Sequence, residues 1–163
     1  MPVPPHLKSF WNEFAQACGE TDESRYYDIC VFGDSEALAD ELALLVLRGV
    51  KRATAGSLWS YEDQGMRVPK PGDLSIVTDG SGHPLCVIET RSVATVPYDE
   101  VTAEFAAAEG EGDGSLAFWR EAHRQYFQRE CAKAGRQFHE HMLLACERFA
   151  VVYPSPPRAA PEN

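Results

Sequence analysis

The apolar residues of this chain change period along its length, in an order that regular alternation of strands and helices does not produce. LKSFWNEFAQAC (7–18) places Leu7, Phe10, Trp11, Phe14 and Ala17 at helical spacing. RYYDICVFG (25–33) is rich in aromatic and β-branched residues and predicts a strand. Asp34 or Ser35 can cap a following helix through residue 48, with Leu38, Leu42, Leu45 and Val46 on its apolar face and Gly49 at its end. AGSLWSYEDQGMRVPKPGD (55–73) predicts a long loop or hairpin. DLSIVTD (73–79), GSGH (80–83) and PLCVIETRSVATV predict a strand, a tight turn and a returning strand. On the return, Val87, Glu89 and Arg91 alternate with Ile88, Thr90 and Ser92, so one face carries the charges. Residues 98–110 and LAFWREAHRQYFQREC predict helices, the second capped by Asp113 or Ser115. MLLACERFAVVY (142–153) predicts a last, strongly apolar strand.

This order disfavours a doubly wound parallel sheet. It predicts an α+β fold, a small mixed β-barrel or curved sheet with helices packed outside. A single domain is expected over residues 1–153, followed by a tail (154–163) with four Pro that is expected to be disordered.

The 163 residues carry 15 Lys+Arg against 25 Asp+Glu, a net charge of −10, which disfavours broad binding to duplex nucleic acid. A small nucleoside or a local basic groove is compatible with that charge. No apolar run approaches the length of a membrane span, and MPVPPHLKSF lacks the apolar stretch of a signal peptide, so the cytoplasm is the expected compartment. Five dispersed Cys without a C-x-x-C pair suggest buried thiols. His139 and His141 have no neighbouring ligands in sequence and read as surface residues, so no metal is expected there.

Three stretches offer chemistry. GVKRAT (49–54) follows the Gly49 helix end. Lys51 and Thr54, three apart, share one side of a single turn. A Lys in a cleft can act as base, nucleophile or oxyanion stabiliser, and a Thr hydroxyl beside it as nucleophile or donor. The bland alternative is surface charge compensating a helix dipole. AAAEGEGDGS crowds Glu109, Glu111 and Asp113 around glycines; one carboxylate can pair with Lys51 or serve as general base, or the loop is only a helix cap. Trp119, His123 and Phe127 share a helix face, either as a core row or as a pocket wall where Trp119 stacks and His123 hydrogen-bonds a flat ring. Trp59 and Tyr61 offer a second stacking wall. Arg52 and Arg67, with Lys51, can line a groove for a short strand.

Together these pieces resemble a known family. LLVLRGVKRAT resembles the helix and G-x-K-x-x-T of the ASCH domain superfamily, whose barrel is similar to the RNA-binding PUA domain. PKPGDLSIVTDGSGHPLCVIETRSV extends the likeness. AAAEGEGDGSLAFWREAHRQYF resembles a larger subfamily in which E-G-E-G-D-x-S precedes a W-R-x-x-H helix. The resemblance runs from about Trp11 to Tyr153. It implies a PUA-like barrel. Small bacterial ASCH proteins are similar to amidohydrolases that remove the acetyl group from N4-acetylcytidine with a Lys, a Thr and a Glu. Lys51 and Thr54 match the first two, and Glu109 is the best match for the third. A larger ASCH protein has been described as a ribonuclease. This chain differs from the small amidohydrolases in its N-terminal extension, in Arg52 and Ala53 inside the motif, and in the acidic loop.

The expected function is therefore amide hydrolysis on an N-acylated cytidine-like nucleoside, with Lys51, Thr54 and Glu109 catalytic. Arg52, Trp59, Tyr61, Arg67, Asp113, Trp119 and His123 are the expected substrate contacts, and no cofactor is expected. The alternatives are cleavage of single-stranded RNA, with Glu109, Glu111 and Asp113 holding a divalent ion, or a module that binds RNA or a modified nucleoside without chemistry.

Overall fold

A computed structural model describes residues 2–20 and 22–154. The tail expected from residue 154 lies, from residue 155 onward, outside the described residues.

A short 3-10 turn, Pro5–Leu7, leads into α1 (Lys8–Cys18), and β1 (Tyr26–Cys30) follows. Then come α2 (Glu36–Leu47), β2 (Ala53–Ser57), α3 (Leu58–Asp63), β3 (Leu74–Thr78) and β4 (Pro84–Pro97). After a 3-10 turn at Tyr98–Glu100, α4 (Ala103–Glu109), α5 (Leu116–Lys133) and β5 (Leu143–Tyr153) complete the fold. The five strands form one mixed sheet in the order β1-β3-β4-β5-β2. Only β1 and β3 run parallel; the other neighbours are antiparallel. The edge strands β1 and β2 line one cleft, so the sheet curls towards a barrel.

Helices cover the sheet in three patches. Leu7, Trp11 and Phe14 of the N-terminal segment pack with Tyr26, Leu74, Ile76 and Val87. Leu42, Ala43 and Val46 of α2 pack with Val77, Cys86, Ile88 and Phe149. Phe105, Trp119 and Phe127 of α4 and α5 pack with Ala53, Leu144 and Cys146. Each fully buried large side chain contributes about 1.5–3 kcal/mol relative to exposure.

The caps show why the elements begin where they do. Ser35 rather than Asp34 accepts a hydrogen bond from the Leu38 amide, at 3.1 Å. Asp34 is turned to Arg129, 2.7 Å away. Thr102 caps α4, which splits the helix expected over 98–110 into a 3-10 turn and a seven-residue helix. Ser115 caps α5, while Asp113 accepts from the Ser115 amide at 2.9 Å.

The long loop expected over 55–73 is the largest departure. Its first part is strand β2 and helix α3. Small residues let β2 lie as an edge against β5, and Ser57 Oγ accepts from the Ser60 amide to start α3. Gly56 gives way to the Tyr61 ring, because a Cβ there would lie 3.2 Å from Tyr61 Cε2. Cys30 is half-buried, Cys86 and Cys146 are buried, and none is in a disulfide. No helix among the described residues is long and apolar enough to cross a membrane.

Candidate active site

After α2, Gly49 takes a left-handed backbone (φ 74°), and the chain doubles back to bury Lys51. The Val50 and Lys51 amides both donate to the Leu45 carbonyl, and the Arg52 amide donates to the Ala108 carbonyl at 2.7 Å. The loop that carries Lys51 is thus tied to the end of α4, where Glu109 and Glu111 flank Gly110. Gly110 has φ 67°, and a Cβ there would lie 2.4 Å from the Val50 oxygen. Only glycine lets these two backbones approach so closely.

The contact assembles a buried ion cluster. Lys51 is 1% exposed, and its Nζ donates to the Ala53 carbonyl at 2.7 Å and to Glu111 Oε1 at 3.0 Å. Glu109 Oε1 stands 3.6 Å from Nζ and has no hydrogen-bond partner. Glu109 Oε2 accepts from the Trp119 indole N–H and faces His123 Nε2 at 2.9 Å. His123 Nδ1 lies 2.9 Å from the Trp119 carbonyl, and its ring stacks on the Trp119 indole at 4.1 Å between centroids. Both neighbours of the imidazole are acceptors, so both ring nitrogens are called on to donate.

Protonation follows from this geometry. Burial alone lowers the Lys51 pKa, but the Glu109 and Glu111 carboxylates outweigh it and hold the pKa above the ordinary lysine value. Burial opposes charge on Glu109 as well, yet Lys51, His123 and the Trp119 N–H bring its pKa below the ordinary value. For His123, burial is again outweighed, chiefly by Glu109, and the pKa is raised. Lys51 is therefore an ammonium in the resting site and is not poised as a base.

Beside the cluster opens a cleft of about 660 Å³, within the range of small-molecule sites. Thr54, Tyr61, Glu109 and His123 line it, so the structure brings these four expected site residues together. Lys51 lies behind its wall. Thr54 stands on strand β2 rather than sharing a turn with Lys51. Trp119 is buried behind His123, which is both a core residue and part of the cleft wall. The other four lie elsewhere. Arg52 is exposed. Trp59 packs against His139 and Arg136. Arg67 pairs with Asp73 at 2.7 Å and covers the Tyr27 ring. Asp113 is exposed at the start of α5.

Two lining acids carry more than their sequence context suggested. Glu111 is the closest carboxylate to Lys51. Glu147, a lone acid in an apolar strand, is buried beside Thr54. A lone carboxylate inside such a strand is itself a signal, because burying it requires partners.

Glu109, Glu111 and His123 each offer a ligand atom, all within 4.8 Å of one another. Asp113, expected with the two glutamates, is not in this trio. A dication there would compete with the Lys51 ammonium already against both carboxylates and with the Trp119 N–H on Glu109.

The ASCH domain profile matches residues 28–153. The chain belongs to the ASCH domain family. Two solved structures agree with this along nearly the whole chain. The ASCH domain from Lactobacillus crispatus JV V101 is 39% identical, with a TM-score of 0.84 over 93% of this chain and 96% of that one. A protein from Enterococcus faecalis V583 is 36% identical, with a TM-score of 0.79 over 90% of this chain and 92% of that one. No curated protein gives a significant match. In this ASCH domain the G-x-K-x-x-T stretch buries its Lys and turns its Thr to the cleft.

Proposed function

We propose that this ASCH domain hydrolyses the exocyclic amide of an N-acylated cytidine-like nucleoside. The observation that carries this reading is the buried Lys51 ammonium, clamped by Glu109 and Glu111, beside a nucleoside-sized cleft that Thr54 lines. Thr54 Oγ1 supplies the nucleophile. The Lys51 ammonium stabilises the negative oxygen of the tetrahedral adduct. Glu111, with 18% of its side chain exposed, turns aside to uncover Nζ. Glu109 stays fixed between Lys51 and His123 and keeps both side chains in place. Tyr61 and Tyr126 give the cleft aromatic surface for a flat base.

The cleft's charge supports an uncharged ligand. Asp28, Glu41, Glu109, Glu111, Glu130 and Glu147 line it; among the described residues Arg129 is the only lining Lys or Arg, and that guanidinium is paired with Asp34. Such a wall repels phosphate, which favours a nucleoside over a strand of RNA.

A second reading, metal-assisted RNA cleavage, draws on the Glu109, Glu111 and His123 trio and on a family thought to bind RNA. One chromatographic assay separates the two. Purified protein converts N4-acetylcytidine to cytidine with and without EDTA, and Lys51→Ala and Thr54→Val lower the rate by about 10²-fold or more. Full turnover by either variant contradicts the proposal. Absence of deacylation together with RNA cleavage that EDTA abolishes establishes the second reading instead.

A further inference from the structure

A charged Lys51 is not a base for the Thr54 hydroxyl, and Glu111 Oε1 is held by the Lys51 ammonium. His123 is called on to donate from both nitrogens, and Glu109 Oε2 is already shared by Trp119 and His123. A different carboxylate stands next to Thr54. In the antiparallel ladder of β2 and β5, Thr54 and Glu147 are directly opposite partners. Their side chains leave the same face of the sheet with Cβ atoms about 4.5–5.5 Å apart, within reach of each other. Both line the cleft. On the other side of Glu147, in β4, the buried Thr90 hydroxyl donates to Glu147 Oε1 at 2.6 Å. Thr90 therefore fixes one carboxylate oxygen, while Oε2 stays available as an acceptor.

We propose that Glu147 is the general base for Thr54, held in position by the Thr90 hydroxyl. This rests on the amide-hydrolysis reading above. Glu147 takes the Thr54 proton as Oγ1 bonds to the acyl carbon. Collapse of the adduct breaks the C–N bond, and the proton passes from Glu147 to the departing exocyclic nitrogen, which leaves as the free amine. Water then attacks the Thr54 ester while Glu147 accepts one of its protons. The C–O bond to Thr54 breaks, Oγ1 recovers that proton, and the acyl group leaves as a carboxylic acid.

The surroundings suit a base. Burial raises the Glu147 pKa, the Thr90 hydrogen bond lowers it, Asp73 raises it and Lys51 lowers it; the net shift is upward. Enzymes raise carboxyl bases in this way to bring them nearer the working pH. Tyr27 and Cys30 of β1 and Tyr61 of α3 also face Glu147, and burial foremost drives all three upward, Tyr27 to about 12. They stay neutral across the range where Glu147 titrates. Asp28 shares the cleft, and burial raises it as well.

The test is a pH–rate profile on the acylated nucleoside for wild type, Glu147→Gln and Thr90→Val, with thermal melts to show folding. Glu147→Gln keeps the shape and the Thr90 acceptor. It lowers kcat by about 10²–10⁴-fold at nearly constant KM and abolishes the acid limb of the profile. Thr90→Val removes the donor that lowers Glu147, so the acid limb moves to higher pH. A purely structural carboxylate moves neither limb. Wild-type turnover with an unchanged kcat or acid limb in Glu147→Gln overturns this inference alone, as does a loss confined to KM. Should Glu147→Gln fail to fold, an unmoved acid limb in Thr90→Val overturns it. A wild type inert towards every acylated nucleoside overturns the amide-hydrolysis reading and this inference with it.

Discussion

Lys51→Met keeps the side-chain stem and deletes the ammonium, which isolates the energetic role of the buried cation. Glu109 Oε1 then has no counter-charge, the Ala53 carbonyl loses its donor, and Glu111 turns to water. Removing one partner of a buried pair costs about 3–5 kcal/mol, because the other charge stays buried without it. His123 and Trp119 still hold Glu109 Oε2, so we predict a value near the low end, about 3 kcal/mol. For a chain of this size that is a fall of roughly 6–12 °C in Tm. Urea unfolding followed by tryptophan fluorescence measures the loss, since Trp11 and Trp119 are buried. The sign of its pH dependence is fixed. The Glu109 pKa is depressed in the folded state, so its contribution is present above the ordinary value of 4.5 and is lost as pH falls through the folded pKa. The Lys51 pKa is raised, so its contribution is complete below 10.5 and is lost as pH rises through the folded value. The gap between wild type and variant is therefore full at neutral pH and narrows in acid. On a Glu109→Gln background Lys51→Met costs less, with a coupling of about 1–3 kcal/mol. A neutral-pH loss below about 0.5 kcal/mol, or a gap that persists unchanged in acid, refutes the assignment of a strong buried ion pair.

Two further outcomes follow from the same geometry. Gly110→Ala adds a Cβ against the Val50 oxygen and forces a left-handed alanine; it destabilises by at least about 1 kcal/mol and lowers turnover by parting Lys51 from Glu109 and Glu111, whereas a melt and a rate equal to wild type contradict the close approach. His123 titrates above the ordinary 6.5 by NMR, and because its pKa is raised, its contribution is complete below 6.5 and is lost as pH rises through the folded value; titration below 6.5 contradicts the Glu109 pairing.

Long periodic segments made the fold legible in the sequence. The N-terminal face of Leu7, in the 3-10 turn, with Trp11 and Phe14 of α1, the α2 face of Leu42 and Val46, and the apolar β5 all form as their spacing implies. β2 was obscured because Ala53–Ser57 is made of small residues without an apolar alternation, and its strand character comes from pairing with β5. At the site, the local residues left Lys51 and the acidic Gly-rich loop open between surface charge and chemistry, and the family resemblance singled out Lys51 and Glu109. That Glu111 lies nearer to Lys51 than Glu109 depends on the backbone contact at Gly110, which no local spacing reports. Trp59 and Tyr61 are two residues apart on one short helix and so face different ways, one packing on Arg136 and His139 and the other entering the cleft. The pairing of Thr54 with Glu147 is a tertiary fact, since these strand partners are far apart in sequence and meet only in the folded sheet.

In the proposed reaction Thr54, beside a buried cation and an acid-lined cleft, attacks an acylated nucleoside. Single-turnover mixing of excess protein with N4-acetylcytidine, quenched in acid and read by intact-protein and peptide mass spectrometry, tests it most directly. We expect cytidine release with a transient acetyl group on Thr54, absent in Thr54→Val. No cytidine release, or release at the wild-type rate from Thr54→Val, contradicts it.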